Sequence, residues 1–212
     1  TISIAAARDI TLGGSISAVN NIDVSAGDAV KGTVKDGTIT SGSSLDLKAT
    51  AAGGDISISA GGVGGDITLT NNALVTAPDK VTLTATAGKI QHADGFITAT
   101  TLTADAADGF SAVTTVANLD IAVTHVGNID ISSTRAVNLL DLSDADGSIS
   151  VKALGEITAT KVNALGLTDR NDITLAAIKP TVASPAVGIT LNNIATAGLG
   201  DISLTAQGNI TH

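Results

Sequence analysis

The sequence predicts an all-β fold, a single continuous parallel β-helix or solenoid of about ten coils spanning residues 1–212. Three observations predict it. A short motif returns along the whole chain, the core vocabulary is restricted to small aliphatics, and no helical period competes with a period of two.

The motif is a Gly, Asn or Asp, then an aliphatic, a small polar residue, an aliphatic and a small residue. In chain order it stands at Ile22 (NIDVSA), Leu45 (SLDLKA), Ile56 (GDISISA), Ile67 (GDITLT), Val81 (KVTLTA) and Leu119 (NLDIAV). It continues at Ile129 (NIDISS), Ile149 (GSISVKA), Ile173 (NDITLAA), Ile189 (GITLNN) and Ile202 (GDISLTA). Each copy reads as a short strand, aliphatic inward and Thr, Ser or Asp outward, because side chains alternate between the faces of a strand. Shorter strands are expected at Ile16, Ile39, Ile90, Ile97, Ile157 and Ile210. Strong copies recur at roughly 10–12 residues or twice that, so a coil of roughly 20 residues holds two or more strands. Gly, Asn and Asp supply the turns. Pro78 and Pro180 mark corners, and Val182 to Val187, with Pro185, reads as an irregular loop, because proline cannot donate to a ladder.

Composition supports the same fold. Hydrophobic residues make up 43%, yet there is no Met, Trp, Tyr or Cys and only two Phe, Phe96 and Phe110. A sandwich core normally carries aromatic anchors and strands that differ from one another. Near-identical strands with a common inward pattern instead favour parallel stacking, each aliphatic above its own kind. The pattern starts at Ile2 and still runs at Ile210 without a polar cap, so the expectation is a segment of a longer repeat protein, or a subunit whose ends stack on neighbours.

The net charge of −9 argues against nucleic acid and anionic membrane surfaces as partners. No apolar run approaches the roughly 20 residues of a membrane span. The opening TISIAAARDI is no signal peptide, so any export signal is expected outside this stretch.

Four segments carry a family resemblance: GDISLTAQGNIT (Gly200 to Thr211), GGDITLTNN (Gly64 to Asn72), KVTLTATAGKI (Lys80 to Ile90) and GSISVKALGEITA (Gly147 to Ala159). Their alternation of half-coils resembles the β-helical repeat region of filamentous-haemagglutinin-like, two-partner secretion exoproteins. The resemblance implies a right-handed β-helix, export across an outer membrane, and work as an adhesin, fibre or delivery stalk. The Asn-Pro-Asn-type motifs of that family's secretion domain do not occur here, which fits a shaft segment.

Chemistry-bearing residues are weighed against plainer roles. One class of aspartate precedes the first inward aliphatic (Asp9, Asp55, Asp66, Asp172, Asp201) and reads as turn residues. A second stands outward between aliphatics (Asp23, Asp46, Asp120, Asp130, Asp141) and reads as a solvated face. Asp120 and Asp141 lie about one coil apart and would repel unless a cation such as calcium, or divergent side chains, relieves them. GGVGGDITL (Gly61 to Leu69) resembles one glycine-rich calcium nonapeptide, but Thr68 stands where a large aliphatic belongs and the motif occurs once. His92, His125 and His212 have no metal-ligand spacing, and no G-x-S-x-G elbow or phosphate loop occurs. The Thr-x-Thr pairs Thr68/Thr70, Thr82/Thr84 and Thr101/Thr103 raise an ice-binding array, which Asp23, Asp46, Lys48, Asp130 and Lys152 at equivalent positions would break.

The expectation is therefore a non-enzymatic structural shaft or filament subunit, extracellular or on the bacterial cell surface, that self-associates or stacks end to end. It has no catalytic, cofactor or metal residues, no nucleic-acid partner and no membrane insertion. The alternative is an adhesin that binds cell-surface glycans or a protein. A carbohydrate-active β-helix enzyme or an ice-binding solenoid follows behind.

Overall fold

The computed structural model describes residues 1–27, 29–30, 33–34, 37–42, 44–167, 171–181, 184–196 and 199–212. The fold is all-β, with no helix among the described residues and one 22-stranded sheet in which every pairing is parallel; a separate two-stranded antiparallel hairpin joins Ala29–Val30 to Thr33–Val34. The chain is a parallel β-solenoid. Every strand expected from the motif is present, including the short ones at Ile16, Ile39, Ile90, Ile97, Ile157 and Ile210.

The strands stack in columns that form faces. On the first face, Ile2–Ala6 pairs with Ile22–Ala26, which pairs with Ile56–Ala60, which pairs with Lys80–Ala85. On the second, the residues in register are Ile10, Ile39, Ile67, Ile90, Phe110, Ile129, Ile149, Ile173 and Ile202. The first face adds a tenth layer, running from Ile2–Ala6 to Ile210–Thr211, so the rod has the expected ten coils and, at nine steps of ~4.8 Å, is ~43 Å long. On the third face, Ser15–Ala18 pairs with Asp46–Ala49, and that strand with Ala73–Thr76.

Period-2 alternation places the core. In Ile22–Ala26, Ile22, Val24 and Ala26 are buried while Asp23 and Ser25 are exposed, and Ile56–Ala60 and Ile67–Leu69 repeat the scheme. The inward columns merge into one aliphatic cluster along the axis. The column ending the first face is alanine in each early layer (Ala6, Ala26, Ala60, Ala85, Ala106), because the chain turns a corner there and leaves room for little more than a methyl group.

The faces exchange roles along the axis. In the early layers the first face carries the longest strand, and a corner separates the second and third. At His92 the register shifts by a bulge of Ala93 to Phe96, after which Ile97 pairs with Thr114. Gly95 turns this bulge with φ +99°, and a side chain there would run into the Ala73 carbonyl. From Ile129–Ser133 onward the second and third faces form one continuous strand, which pairs with Ile149–Ala153. The first face meanwhile divides: a bulge leaves Leu140 outside the register, and Val137 pairs with Ile157 while Leu142 pairs with Val162.

Coil length varies more than the motif implies. Equivalent residues lie 19 or 20 apart in the middle coils, 29 at both Thr11–Thr40 and Asp172–Asp201, and 34 at Asn21–Asp55. The extra residues enter at corners, where they leave the inward columns untouched. Pro78 and Pro180 sit at such corners, as expected, and Ser184 to Val187 form no strand. Residues 182–183 of that loop lie outside the described residues.

Candidate functional site

The aspartates that precede strands form a corner ladder. The Asp9 Oδ1 accepts the backbone N–H of Thr38 (2.9 Å), Asp55 that of Lys80 (3.1 Å), Asp66 that of Lys89 (2.8 Å) and Asp172 that of Asp201 (2.8 Å). Asn21 and Asn128 do the same for Asp55 and Ser148, and the Ser148 hydroxyl for Asp172. In each case the earlier coil's side chain takes the N–H of the equivalent residue one coil later. The turn reading of this class stands, with an inter-coil role that only the register reveals. In the GGVGGDITL stretch, Val63 and Gly64 turn the chain, Gly64 with φ +73°, and Asp66 spends an oxygen on Lys89.

Asp120 and Asp141 are paired in register, as their spacing implied. The counter-charge is Lys161, whose Nζ lies 2.6 Å from the Asp141 Oδ2 one coil on. Among the described residues no group of three or more His, Asp or Glu is placed to hold a metal ion. The three histidines are indeed dispersed. His125 Nδ1 lies 3.9 Å from the Asp108 carboxylate on the surface, and His212 is exposed.

Two titratable groups face the axis, and sequence reasoning missed both. His92 is buried in the column below Leu69; its Nε2–H donates to the Ala73 carbonyl (3.0 Å) and its Nδ1 has no partner. Desolvation holds its pKa below the ordinary histidine value, against weaker opposing contributions from backbone hydrogen bonds and Asp94. Asp144 is 0% exposed, in the column between Val123 and Ala164. Its Oδ1 accepts the Asp146 N–H (3.1 Å), while Oδ2 has no partner. Desolvation pushes its carboxyl up to about 7; the Asp146 N–H opposes this and the Asp146 charge adds to it. Both positions were readable by parity, since His92 is two residues from Ile90 and Asp144 two from Leu142.

The Thr-x-Thr pairs do not assemble. Thr68 on the second face stands between Thr40 and Gln91; Thr82 on the first face meets Thr103, but Thr84 meets Asp105. A different threonine column, unnoticed in the sequence, runs up the third face. Thr76, Thr98 and Thr115 are in register in successive coils, and the Thr115 Oγ1 is hydrogen-bonded to the Thr134 Oγ1 (2.7 Å). Lys48 precedes Thr76 in the column, and Arg135, the next residue along the chain after Thr134, is exposed beside the column's other end. Between them lies a shallow groove of about 560 Å³ with no carboxylate in its lining. Beside it stand Leu74 and Phe96, in register and 39% and 43% exposed.

Compared with family models, curated proteins and solved structures, the chain matches none.

Proposed function

We propose that this chain is a structural shaft: a stiff, non-enzymatic, extracellular segment of a bacterial surface protein that sets length and associates with copies of itself. The observation that carries this reading is the unbroken parallel register from Ile10 to Ile202 over one aliphatic core. In such a stack each layer contacts only its neighbours, so stiffness and length grow with coil number and no layer depends on a distant one. The corner aspartates support it, because carboxylates that accept inter-coil N–H groups are committed to holding coils together. The outward Asp23, Asp120, Asp130 and Asp141 keep a strongly β-forming chain soluble by mutual repulsion. Self-association follows from periodicity, since every coil offers the same hydrogen-bonding edge as the one before it. Extracellular placement on a bacterial surface rests on the resemblance of Gly200 to Thr211 and its companion segments to filamentous-haemagglutinin-like repeats.

The test is electron microscopy of the 212-residue chain at rising concentration, with sedimentation in parallel. Straight rods about 40 Å long that join into longer ones support the reading. Round compact particles would refute the shaft, and lone rods at every concentration would refute self-association.

A further inference from the structure

We infer that the third face carries a binding site for an acidic polysaccharide, an extended sugar chain bearing carboxylates. The inference is independent of the shaft reading, and separate features of the face converge on it. One is the placement of the aromatics. Of the two phenylalanines, Phe110 fills the axis, whereas Phe96 stands outward beside Leu74. Isolated exposed apolar residues need no explanation. These two are in register, and Val113, half-buried and outward, follows in the next coil two residues before Thr115. A flat apolar platform of this kind takes the C–H face of a sugar ring.

The threonine column is the second feature. Thr76, Thr98, Thr115 and Thr134 repeat at ~4.8 Å along the rod, and a hydroxyl both donates and accepts, as sugar hydroxyls do. Charge is the third. The chain carries a net −9, yet Lys48 stands at one end of this column and Arg135 beside Thr134 at the other, and the groove between them holds no carboxylate. Asp46, in register with Leu74, and the exposed Asp79, next to the lining residue Pro78, are acidic groups at its edges. A neutral glycan makes no use of the two cations, whereas carboxylates on one chain meet both. Their separation of four layers, ~19 Å, calls for a polymer of several sugars. Outward columns of the first and second faces carry Asp23, Asp120 and Asp130, which disfavour an anionic chain there.

The experiment is calorimetric titration of polygalacturonate, with neutral dextran as comparison, onto the 212-residue chain at low and high salt, with sedimentation of each mixture. Polygalacturonate is expected to bind, more weakly at high salt, and dextran not to bind. The double variant Lys48→Glu/Arg135→Glu is expected to weaken binding by at least about tenfold, and Phe96→Ala by about tenfold, with melting temperatures near the parent's because all three positions point outward. Lys89→Glu, at the corner before the second face, is expected to change nothing. Should the double charge reversal fold poorly, Lys48→Ala/Arg135→Gln replaces it. No binding of polygalacturonate, equal binding of dextran, or binding undiminished by the double variant would each overturn the assignment. So would loss of self-association in the double variant with polygalacturonate binding intact, because the face would then serve a second copy of the chain.

Discussion

The carboxyl of Asp144 stands in register with the methyl group of Ala164, in an inward column that is otherwise aliphatic from Ile2–Ala6 through Val162–Ala164. It marks the coil in which the first face divides, the same coil in which the second and third faces run on as the one strand Ile129–Ser133. His92 lies two coils earlier, at the bulge before Ile97. Both buried titratable groups thus sit where the cross-section changes shape.

Their titrations oppose each other. Asp144, raised to about 7, keeps in the folded state a proton that the unfolded chain releases above its ordinary 3.8. The folded state binds more protons in that window, so stability falls as pH rises from about 4 to about 7 and is level above. His92, lowered from 6.5, refuses in the folded state a proton that the unfolded chain accepts, so stability falls as pH drops below about 6.5. Asp144→Asn removes the first dependence and leaves the second. Melting temperatures between pH 4 and 8 are expected to fall at the alkaline end for the parent and to lose that fall in the variant.

Inward and outward positions are expected to differ sharply. Ile67 is wholly buried between Ile39 and Ile90, whereas its neighbour Thr68 points out. Ile67→Asp strands a carboxylate in the aliphatic axis and is expected to cost more than about 4 kcal/mol in chemical denaturation. Thr68→Asp is expected to stay within about 0.5 kcal/mol. Equal losses would contradict the assignment of faces.

The corner ladder makes a chemical prediction. Asp66→Ala leaves the Lys89 N–H without its acceptor and is expected to cost about 1 kcal/mol. Asp66→Asn keeps a carbonyl oxygen at the same place and is expected to recover most of that loss. Denaturation midpoints of the pair decide it.

The Lys161–Asp141 pair is about 40% exposed on both sides, so its removal is expected to matter little. Lys161→Ala leaves Asp120 and Asp141 facing each other uncompensated, with a loss of roughly 0.5 kcal/mol at low salt that fades at high salt. Melting curves at two ionic strengths show whether it does.

The strands were legible because a single property, alternation, specifies them. Ile56–Ala60 announces its buried face without reference to anything else. The corners were not, because residues added there leave the inward columns unchanged. The 34-residue interval from Asn21 to Asp55 and the 20-residue interval from Asn128 to Ser148 carry equivalent layers. Without coil lengths the register stays hidden, and with it every relationship between coils: the aspartate ladder, Lys161 beside Asp141, and the column from Lys48 to Thr134. The Asp120–Asp141 contact was found because that coil happens to be near the mean length. His92 and Asp144 were overlooked for another reason. Neither residue type nor spacing to a partner marks them; only parity within the strand, two residues from Ile90 and from Leu142, places them inward.

Parallel stacking along one axis is tested most directly by the distance between its two ends. The chain has no cysteine, so Thr11→Cys and Ser203→Cys give two unique labelling sites, both outward on the second face and eight layers apart. Pulsed electron resonance between spin labels at these positions is expected to give one narrow distribution near about 40 Å. A distance under about 20 Å, as a sandwich of the same strands would allow, or a broad distribution without a defined maximum, would contradict the solenoid.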